Sequence, residues 1–573
     1  MKDFSFRARA EALRRFQNEV FDLLIIGGGI TGAATVRDAA SRGLKVALVE
    51  ARDFAWGTSS RSSKLIHGGL RYLQNMEFGL VFEALSERSH LLKTVPHMVR
   101  PLPFFMPVYR GDKPGKFLLN VGLWLYDVLA LGRAPGFHRT FSKKKFLEQV
   151  PFLKAEGLKG GFRYFDASMW DDVLAVETLR AAHEAGAAVA NYTEAVTPIW
   201  EGECIKGFQV RDLESDAAPI ALRANRTVVC AGPWTDQVGF KMSSHWRRWL
   251  NPSKGVHLIF DLKRIPVPGA IVMSHPEDGR ISFVIPRPDY GAGVVIVGTT
   301  DGPTPLEPEK AAVELGDVDY LMELLNRYFP TLRLTTGDIV SVYVGVRPLM
   351  GAQASTVGSE GTAPRATASD LQKVSREHYI GSGPGGAILV AGGKYTTHRL
   401  MAREVVDIAL TKWREDAAQG KAEGPGTIGA SDTEGPVNPL ATLEAVSESR
   451  RAAADRGWGV PEALWNRYGA EALEIFAIHR NQTDDIPELE GFPFLGAQLR
   501  YEIRNGMVVR LEDFYFRRSG LYATRKDHGL PVAPALARLW AEERGLPPSA
   551  ASDEVLRLQD EVKNRNRWRQ ELS

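Results

Sequence analysis

One stretch constrains this chain more than any other: Phe21-Asp-Leu-Leu-Ile-Ile-Gly27-Gly28-Gly29-Ile-Thr-Gly32. The apolar run from Phe21 to Ile26 predicts a buried parallel strand. Gly27, Gly29 and Gly32 then keep the G-x-G-x-x-G spacing. Residues 33–40 predict a helix, and residues 44–49 a second strand that ends at Glu50. Each part has a physical task. Gly27 permits the tight turn, Gly29 lets a pyrophosphate reach the backbone, and Gly32 lets helix and strand pack closely. The helix N-terminus offers unpaired N–H groups and a partial positive charge to phosphates. Glu50 lies where a carboxylate accepts ribose hydroxyls. The whole unit predicts a bound dinucleotide and leaves FAD and NAD both open.

Composition narrows the remaining classes. The 573 residues allow several domains, taking about 150 residues each as a guide. With 71 basic and 69 acidic residues the net charge is +2, which gives no basis for nucleic-acid binding. The two cysteines, Cys204 and Cys230, form no metal-ligand spacing, so no metal is expected. Cys230 sits in an apolar run and reads as a buried, inert thiol. No stretch reaches the roughly 18 apolar residues of a membrane span. The charged segment 1–20 predicts a polar helix rather than a secretory signal.

The next distinctive stretch is Gly57-Thr58-Ser59-Ser-Arg-Ser-Ser63-Lys64-Leu65-Ile-His67-Gly68-Gly69-Leu-Arg71-Tyr72. Small hydroxyl residues and a Gly-Gly pair let a loop pass close to a ligand. Basic and aromatic residues accompany them. Together with the glycine turn, this stretch resembles the signature of the FAD-dependent glycerol-3-phosphate dehydrogenases.

Farther along, residues 80–95 have helical spacing, and four prolines between Pro96 and Pro107 exclude a regular helix there. Lys116 to Leu131 is an apolar helical segment with Trp124, Tyr126 and basic flanks. A membrane-interface helix and a buried core helix both fit it. Asp166, Asp171 and Asp172 read as turn and capping residues before a helix over 173–185, outside the chemistry. Strands over 189–197, 208–212 and 220–222 lead to Thr227-Val-Val-Cys-Ala-Gly232. That arrangement is similar to two-dinucleotide-binding flavoproteins and favours FAD over NAD. Strands over 254–260, 270–273, 281–285 and 294–297, with a helix over 318–328, predict a cap sheet. Arg347, held between Gly345 and Pro348 in an apolar strand, is placed to meet an anion. Residues 353–370 read as a loop. A strand, then Gly392-Gly393-Lys394-Tyr395-Thr396 and a helix, again points N–H groups at negative charge.

The expected fold is α/β. A Rossmann-like, two-dinucleotide-binding FAD domain spans 21–413, interleaved with an antiparallel cap drawn from roughly 80–160 and 251–350. A Gly/Pro-rich linker over 414–440 leads to a helical domain over 441–573.

The resemblance implies oxidation of sn-glycerol 3-phosphate to dihydroxyacetone phosphate, with electrons passing from FAD to a membrane quinone. It implies a cytoplasmic enzyme attached peripherally to the inner face of the membrane, and leaves a homodimer open. Carried over residue by residue, FAD would be held by Gly27, Gly29, Gly32, Glu50, Thr58, Ser59, Ser63, Lys64, Leu65, His67, Gly68 and Gly69. Ala195, Val196, Gly232, Gly393, Lys394, Tyr395 and Thr396 complete that set. Substrate would meet Arg71, Tyr72, Arg376, Lys394 and Thr396, with His257 and Arg347 as the catalytic pair. A phosphate dianion calls for several Arg and Lys donors. Hydride leaves C2 for the flavin while the C2 hydroxyl loses a proton, and an unperturbed imidazole titrates near 6.5, about right for an acceptor. Arg347 stays charged and holds the alkoxide or the phosphate, and the sequence leaves the division between the two residues open. The loop between Arg347 and Arg376 is nearer in length to the dehydrogenases than to the related oxidases, which favours quinone over oxygen. An oxidase of the same substrate and a non-catalytic flavin-binding module are the competing readings. The cluster of basic residues speaks against the latter.

Overall fold

The computed structural model describes residues 3–70, 73, 76–351, 378–420, 424–426, 428–482 and 484–572. The predicted α/β fold is found, built on two sheets. In the first, the strand Val20–Ile26 lies between Val46–Val49 and Ile220–Val229, all parallel. Ala188–Ala190 extends one side. Ile388–Gly392 and then antiparallel His378–Ser382 extend the other. The hairpin Thr193–Glu201 and Cys204–Asp212 joins at the lower half of Ile220–Val229. Helices Ile30–Ser41, Asp171–Glu184 and His398–Ala418 bury one face through Val36, Val176 and Val405. The N-terminal helix Phe6–Asn18 covers the other through Phe16, against Phe21 and Phe208. It stops short of Val20, which is the first residue of the strand.

Among the described residues the second sheet has ten strands. Ser253–Asp261 pairs with Val294–Gly298 on one side and Ile339–Arg347 on the other. Ile281–Arg287, Ala270–Ser274, Val99–Tyr109 and Leu158–Met169 follow in order. The short strand Leu65–Ile66 sits at the edge beside Leu158–Met169, so the serine-rich loop enters this sheet directly. Helix Leu315–Tyr328 packs on one face. Helices Phe78–Thr94 and Lys116–Leu129 pack on the other.

Two expectations are corrected. Asp166 is a strand residue within Leu158–Met169, buried rather than in a turn; Asp171 and Asp172 do open a helix. Residues 189–197 form two strands, broken at Asn191–Tyr192, where Tyr192 has a positive φ of 49°.

Helix His398–Ala418 carries five residues into the segment expected as linker. From Leu443 onward the described chain is helical, with cores around Leu499, Tyr515 and Trp540 and around Trp465 and Ile475. Buried Asp53 fastens these helices to the first sheet, accepting from Arg518 at 2.6 and 2.8 Å and from Arg517. Burial opposes ionisation of Asp53, but the two guanidiniums outweigh it and hold the carboxyl below its ordinary range.

Candidate active site

The glycine turn is sterically exact for its residues. Gly27 has φ +114°, and a Cβ there would stand 2.5 Å from the Cys230 carbonyl oxygen. A Cβ on Gly32 would stand 1.9 Å from the Gly27 oxygen. Gly29 caps helix Ile30–Ser41, and the Ile30 N–H donates to Ser59 Oγ at 2.9 Å. Glu50 accepts from the Gly28 and Arg52 N–H groups at 2.7 and 2.8 Å, and burial pushes its carboxyl up. A backbone cradle, a helix N-terminus and a carboxylate at the end of the second strand thus meet at one point. That donor set fits the pyrophosphate and ribose of a dinucleotide. The Thr193 N–H donates to the Glu50 backbone carbonyl at 2.7 Å, so the hairpin carrying buried Ala195 and half-buried Val196 starts beside Glu50. Gly232 opens the turn Gly232–Trp234, and Trp234 packs against Trp56.

The loop after Glu50 runs from this turn onto the second sheet. Thr58 donates to the Val346 carbonyl at 2.6 Å, and the Ser62 carbonyl accepts from Tyr343 Oη at 2.8 Å. Lys64, 3% exposed, donates to Asp171 and to the Ser60 carbonyl. Burial pushes its ammonium down, but Asp171 and Asp172 outweigh that and hold it up at about 12. Asp171 also accepts from Ser62 Oγ at 2.7 Å, and its carbonyl accepts from Tyr395 Oη. Asp166 accepts from the Gly68 N–H at 3.0 Å, from Tyr126 Oη at 2.7 Å and from Arg88. Both aspartates therefore brace the loop, a role the sequence reading did not assign. Their donors come from distant segments, so no local pattern marks them.

The loop meets the chain that follows Ile388–Gly392. Thr396 Oγ1 donates to the His67 carbonyl at 3.5 Å. Gly393 has φ +89°, and Lys394, Tyr395 and Thr396 lead into helix His398–Ala418. The structure thus brings His67 beside Thr396 and joins Lys64 to Tyr395 through Asp171. Arg71, Tyr72 and Arg376 lie outside the described residues, as do residues 353–370.

The pair expected to be catalytic, His257 and Arg347, lies on one face of the second sheet. His257 is opposite Tyr343 and Gly298, Gly255 is opposite Gly345, and Ser253 is opposite Arg347. Residues two apart share a face, so His257 and Arg347 lie on either side of the paired glycines Gly255 and Gly345. The His257 ring stacks on Tyr343, centroids 4.6 Å apart and 15° from parallel. A Cβ on Gly298 would stand 2.3 Å from its Cδ2. Nε2 meets Ser63 Oγ at 2.9 Å, while Nδ1 is buried without a hydrogen-bond partner among the described residues. Burial, reinforced by Arg347 and Lys64, pushes His257 down to about 3, so the free ring is neutral, well below the near-neutral titration expected from sequence. Arg347 donates to Asp301 at 3.1 Å, to Ser253 Oγ at 3.1 Å, to Thr299 Oγ1 at 2.9 Å and to the carbonyls of Lys254 and Thr300. Its guanidinium is fixed in place over Gly255.

Comparison with known proteins identifies the family. Residues 22–400 match the family model described as FAD dependent oxidoreductase, and residues 447–550 the model for the C-terminal domain of alpha-glycerophosphate oxidase. The aerobic glycerol-3-phosphate dehydrogenase of Staphylococcus aureus (strain USA300) is 35% identical over 526 residues, 91% of this chain and 90% of that one. A glycerol-3-phosphate dehydrogenase from Bacillus halodurans, solved with FAD, superposes with a TM-score of 0.74 at 27% identity, covering 98% of each chain. L-alpha-glycerophosphate oxidase from Mycoplasma pneumoniae shares the fold, with a TM-score of 0.50 at 16% identity over 68% of this chain and 95% of that one. The chain belongs to the FAD-dependent oxidoreductases, within the family of the aerobic glycerol-3-phosphate dehydrogenases.

Proposed function

We propose that the chain oxidises sn-glycerol 3-phosphate to dihydroxyacetone phosphate. The observation that carries this reading is the glycine-lined strip between His257 and Arg347, facing the loop that follows the dinucleotide turn. FAD, when bound, supplies the hydride acceptor and the outlet for electrons. The C2–H bond of the substrate breaks with its electron pair, and the C2 hydroxyl must lose its proton as the carbonyl forms. His257, neutral in the free protein, takes that proton on a ring nitrogen. The cations that hold the ring down are offset when a phosphate dianion arrives, which makes the ring a better base. Arg347, already aimed by Asp301 and Ser253, holds the oxygen as it gains negative charge. Lys394 and Thr396 take the phosphate together with Arg71, Tyr72 and Arg376.

Electrons then pass to a quinone, with the chain attached peripherally at the cytoplasmic face of a membrane. No helix among the described residues is long and apolar enough to cross one. The names of the Staphylococcus and Bacillus relatives support the substrate. The test is anaerobic mixing of the yellow protein with sn-glycerol 3-phosphate. Flavin bleaching that a soluble quinone reverses quickly, and air slowly, is the expected result. Absence of bleaching refutes the substrate, and equally fast recovery in air makes the protein an oxidase.

A further inference from the structure

A cavity of about 440 Å3 lies where the cap sheet meets the helical domain. Ile339, on its wall, opens the strand Ile339–Arg347. The length of that strand, about 26 Å at the usual rise per residue, separates the cavity from Arg347. The opposite wall comes from helix Pro548–Arg565 and the turn Arg567–Leu572, through Val562, Lys563, Asn566 and Arg569. Lys526 and His528 close it from the segment before helix Ala533–Arg544. Two units far apart in the chain thus share one pocket, of the size that encloses a small organic ligand.

Charge and hydrogen bonding specify that ligand. The lining holds the cations Lys526, Lys563 and Arg569 and neither Asp nor Glu. Their neighbours are matched: Arg525 pairs with Asp527 at 2.7 Å and Arg565 with Glu561 at 2.8 Å. Lys526 Nζ donates only to the Gly337 carbonyl, at 2.9 Å, and Arg569 to the Ile339 carbonyl, at 2.8 Å. Among the described residues no carboxylate pairs with any of the three. The Arg569 guanidinium lies 4.6 Å from the Trp568 ring centroid, and burial pushes it down.

Deeper in, Asn566 Nδ2 donates to the Val562 carbonyl at 2.9 Å and meets His528 Nε2 at 3.1 Å. The carbonyl can only accept, which fixes the amide this way round. His528 Nδ1 lies 3.1 Å from the Tyr522 carbonyl, so Nδ1 carries the proton and Nε2 accepts from Asn566. Burial pushes His528 down, which keeps the ring neutral. Asn566 Oδ1 is left buried with no hydrogen-bond partner among the described residues. Orphaned buried acceptors are costly and call for a donor.

We propose that this cavity binds a phosphorylated small molecule of nucleotide size. Its phosphates meet Lys526, Lys563 and Arg569, its apolar body lies against Ile339, Leu530 and Val562, and an amino or hydroxyl group donates to Asn566 Oδ1. A lone phosphate would leave most of the volume empty and Asn566 unmatched. A wholly apolar ligand would cover three cations without neutralising them. The site is separate from the oxidation chemistry proposed above and does not rest on it. Because both walls hold the ligand, binding ties the cap to the helical domain and raises the thermal midpoint.

The test is equilibrium dialysis of labelled ATP against the holoenzyme, with full flavin occupancy confirmed by absorbance so that the dinucleotide turn is filled. The comparison protein carries Lys526→Ser and Lys563→Ser together, both at exposed positions away from His257 and the flavin loop. The wild type should bind ATP at a saturable site and melt at a higher temperature with it. The double variant should bind about tenfold more weakly or worse and lose the rise in midpoint, with flavin bleaching by sn-glycerol 3-phosphate unchanged. Neither sn-glycerol 3-phosphate nor inorganic phosphate should displace ATP at comparable concentration. Four results overturn the proposal: no saturable binding, equal affinity in the variant, displacement by sn-glycerol 3-phosphate, which would place the ATP in the substrate pocket, or equal competition by inorganic phosphate, which would reduce the cavity to a simple anion site.

Discussion

Asp171→Asn tests how the flavin loop is held. Asp171 is fully buried and accepts from Ser62 Oγ at 2.7 Å, from the Ser62 N–H at 3.3 Å and from the Lys64 ammonium. Burial alone would push Lys64 down, yet Asp171 and Asp172 carry it from 10.5 to about 12. That rise corresponds to about 2 kcal/mol of favourable interaction. Asparagine keeps the shape and one acceptor oxygen but leaves the ammonium buried beside a neutral group. Removing one partner of a buried pair costs about 3–5 kcal/mol when nothing replaces it, so the retained acceptor places the expected loss nearer 2. The loop must be ordered to close on FAD, and the loss therefore appears as a rise of about 30-fold in the FAD Kd. The folded value of Lys64 lies above its unfolded one. Its stabilisation is therefore complete below 10.5 and is lost only as pH rises through about 12. The difference between the two proteins should accordingly stay constant from about pH 6 to 9. The assay is titration of apoenzyme with FAD, followed by hydrogen exchange over residues 58–68. A Kd within about threefold of wild type, with unchanged exchange, would refute this account of the loop.

Two other outcomes follow from the same geometry. Stability should fall as pH drops below about 6.5: burial pushes His97 and His398 down to about 4, and His257 to about 3 with help from Arg347 and Lys64. The unfolded chain then binds protons the folded chain does not, so the thermal midpoint should decline steadily toward about pH 4, and a flat midpoint would contradict it. Gly298→Ala would set a methyl 2.3 Å from His257 Cδ2, driving the ring off Tyr343 and Ser63. It should lower kcat with a soluble quinone by about 10–100-fold at a stability cost of about 1–3 kcal/mol, and an unchanged kcat would show that the ring position does not matter.

The parallel sheet was legible because its strands are short apolar runs ended by a glycine or an acid, as at Ile26-Gly27 and Val49-Glu50. The strand Val99–Tyr109 was not, because Pro101, Pro103 and Pro107 argue against one. Its register explains the exception. The three prolines share one parity, so their missing N–H groups fall on one edge of the strand, where Ala270–Ser274 pairs only at Phe104 and Phe105. Pairing with Leu158–Met169 continues through the intervening residues. Helix Lys116–Leu129 fitted two readings because its sequence is apolar on both faces; only packing shows which stripe the cap core takes up.

The site was legible wherever a residue's purpose is local, as in the glycine turn and Glu50. His257 and Arg347 could be singled out from their neighbours, but not their relation, which depends on the register of three strands far apart in sequence. Gly255 and Gly345 each weaken a strand interior, where glycine forfeits packing and gains backbone entropy to lose, and Gly298 ends its strand. Any one of them reads as a minor irregularity. Pairing puts Gly298 opposite His257 and Gly345 opposite Gly255, so the three vacancies fall at adjacent positions beside one buried imidazole. Methyl groups there would strike His257, Arg347 and the Arg61 carbonyl, at 2.3, 2.3 and 2.6 Å. Three strands give up side chains at neighbouring positions because the imidazole, the guanidinium and the Arg61 backbone occupy that space, which ties the weakest points of the cap sheet to the proposed chemistry.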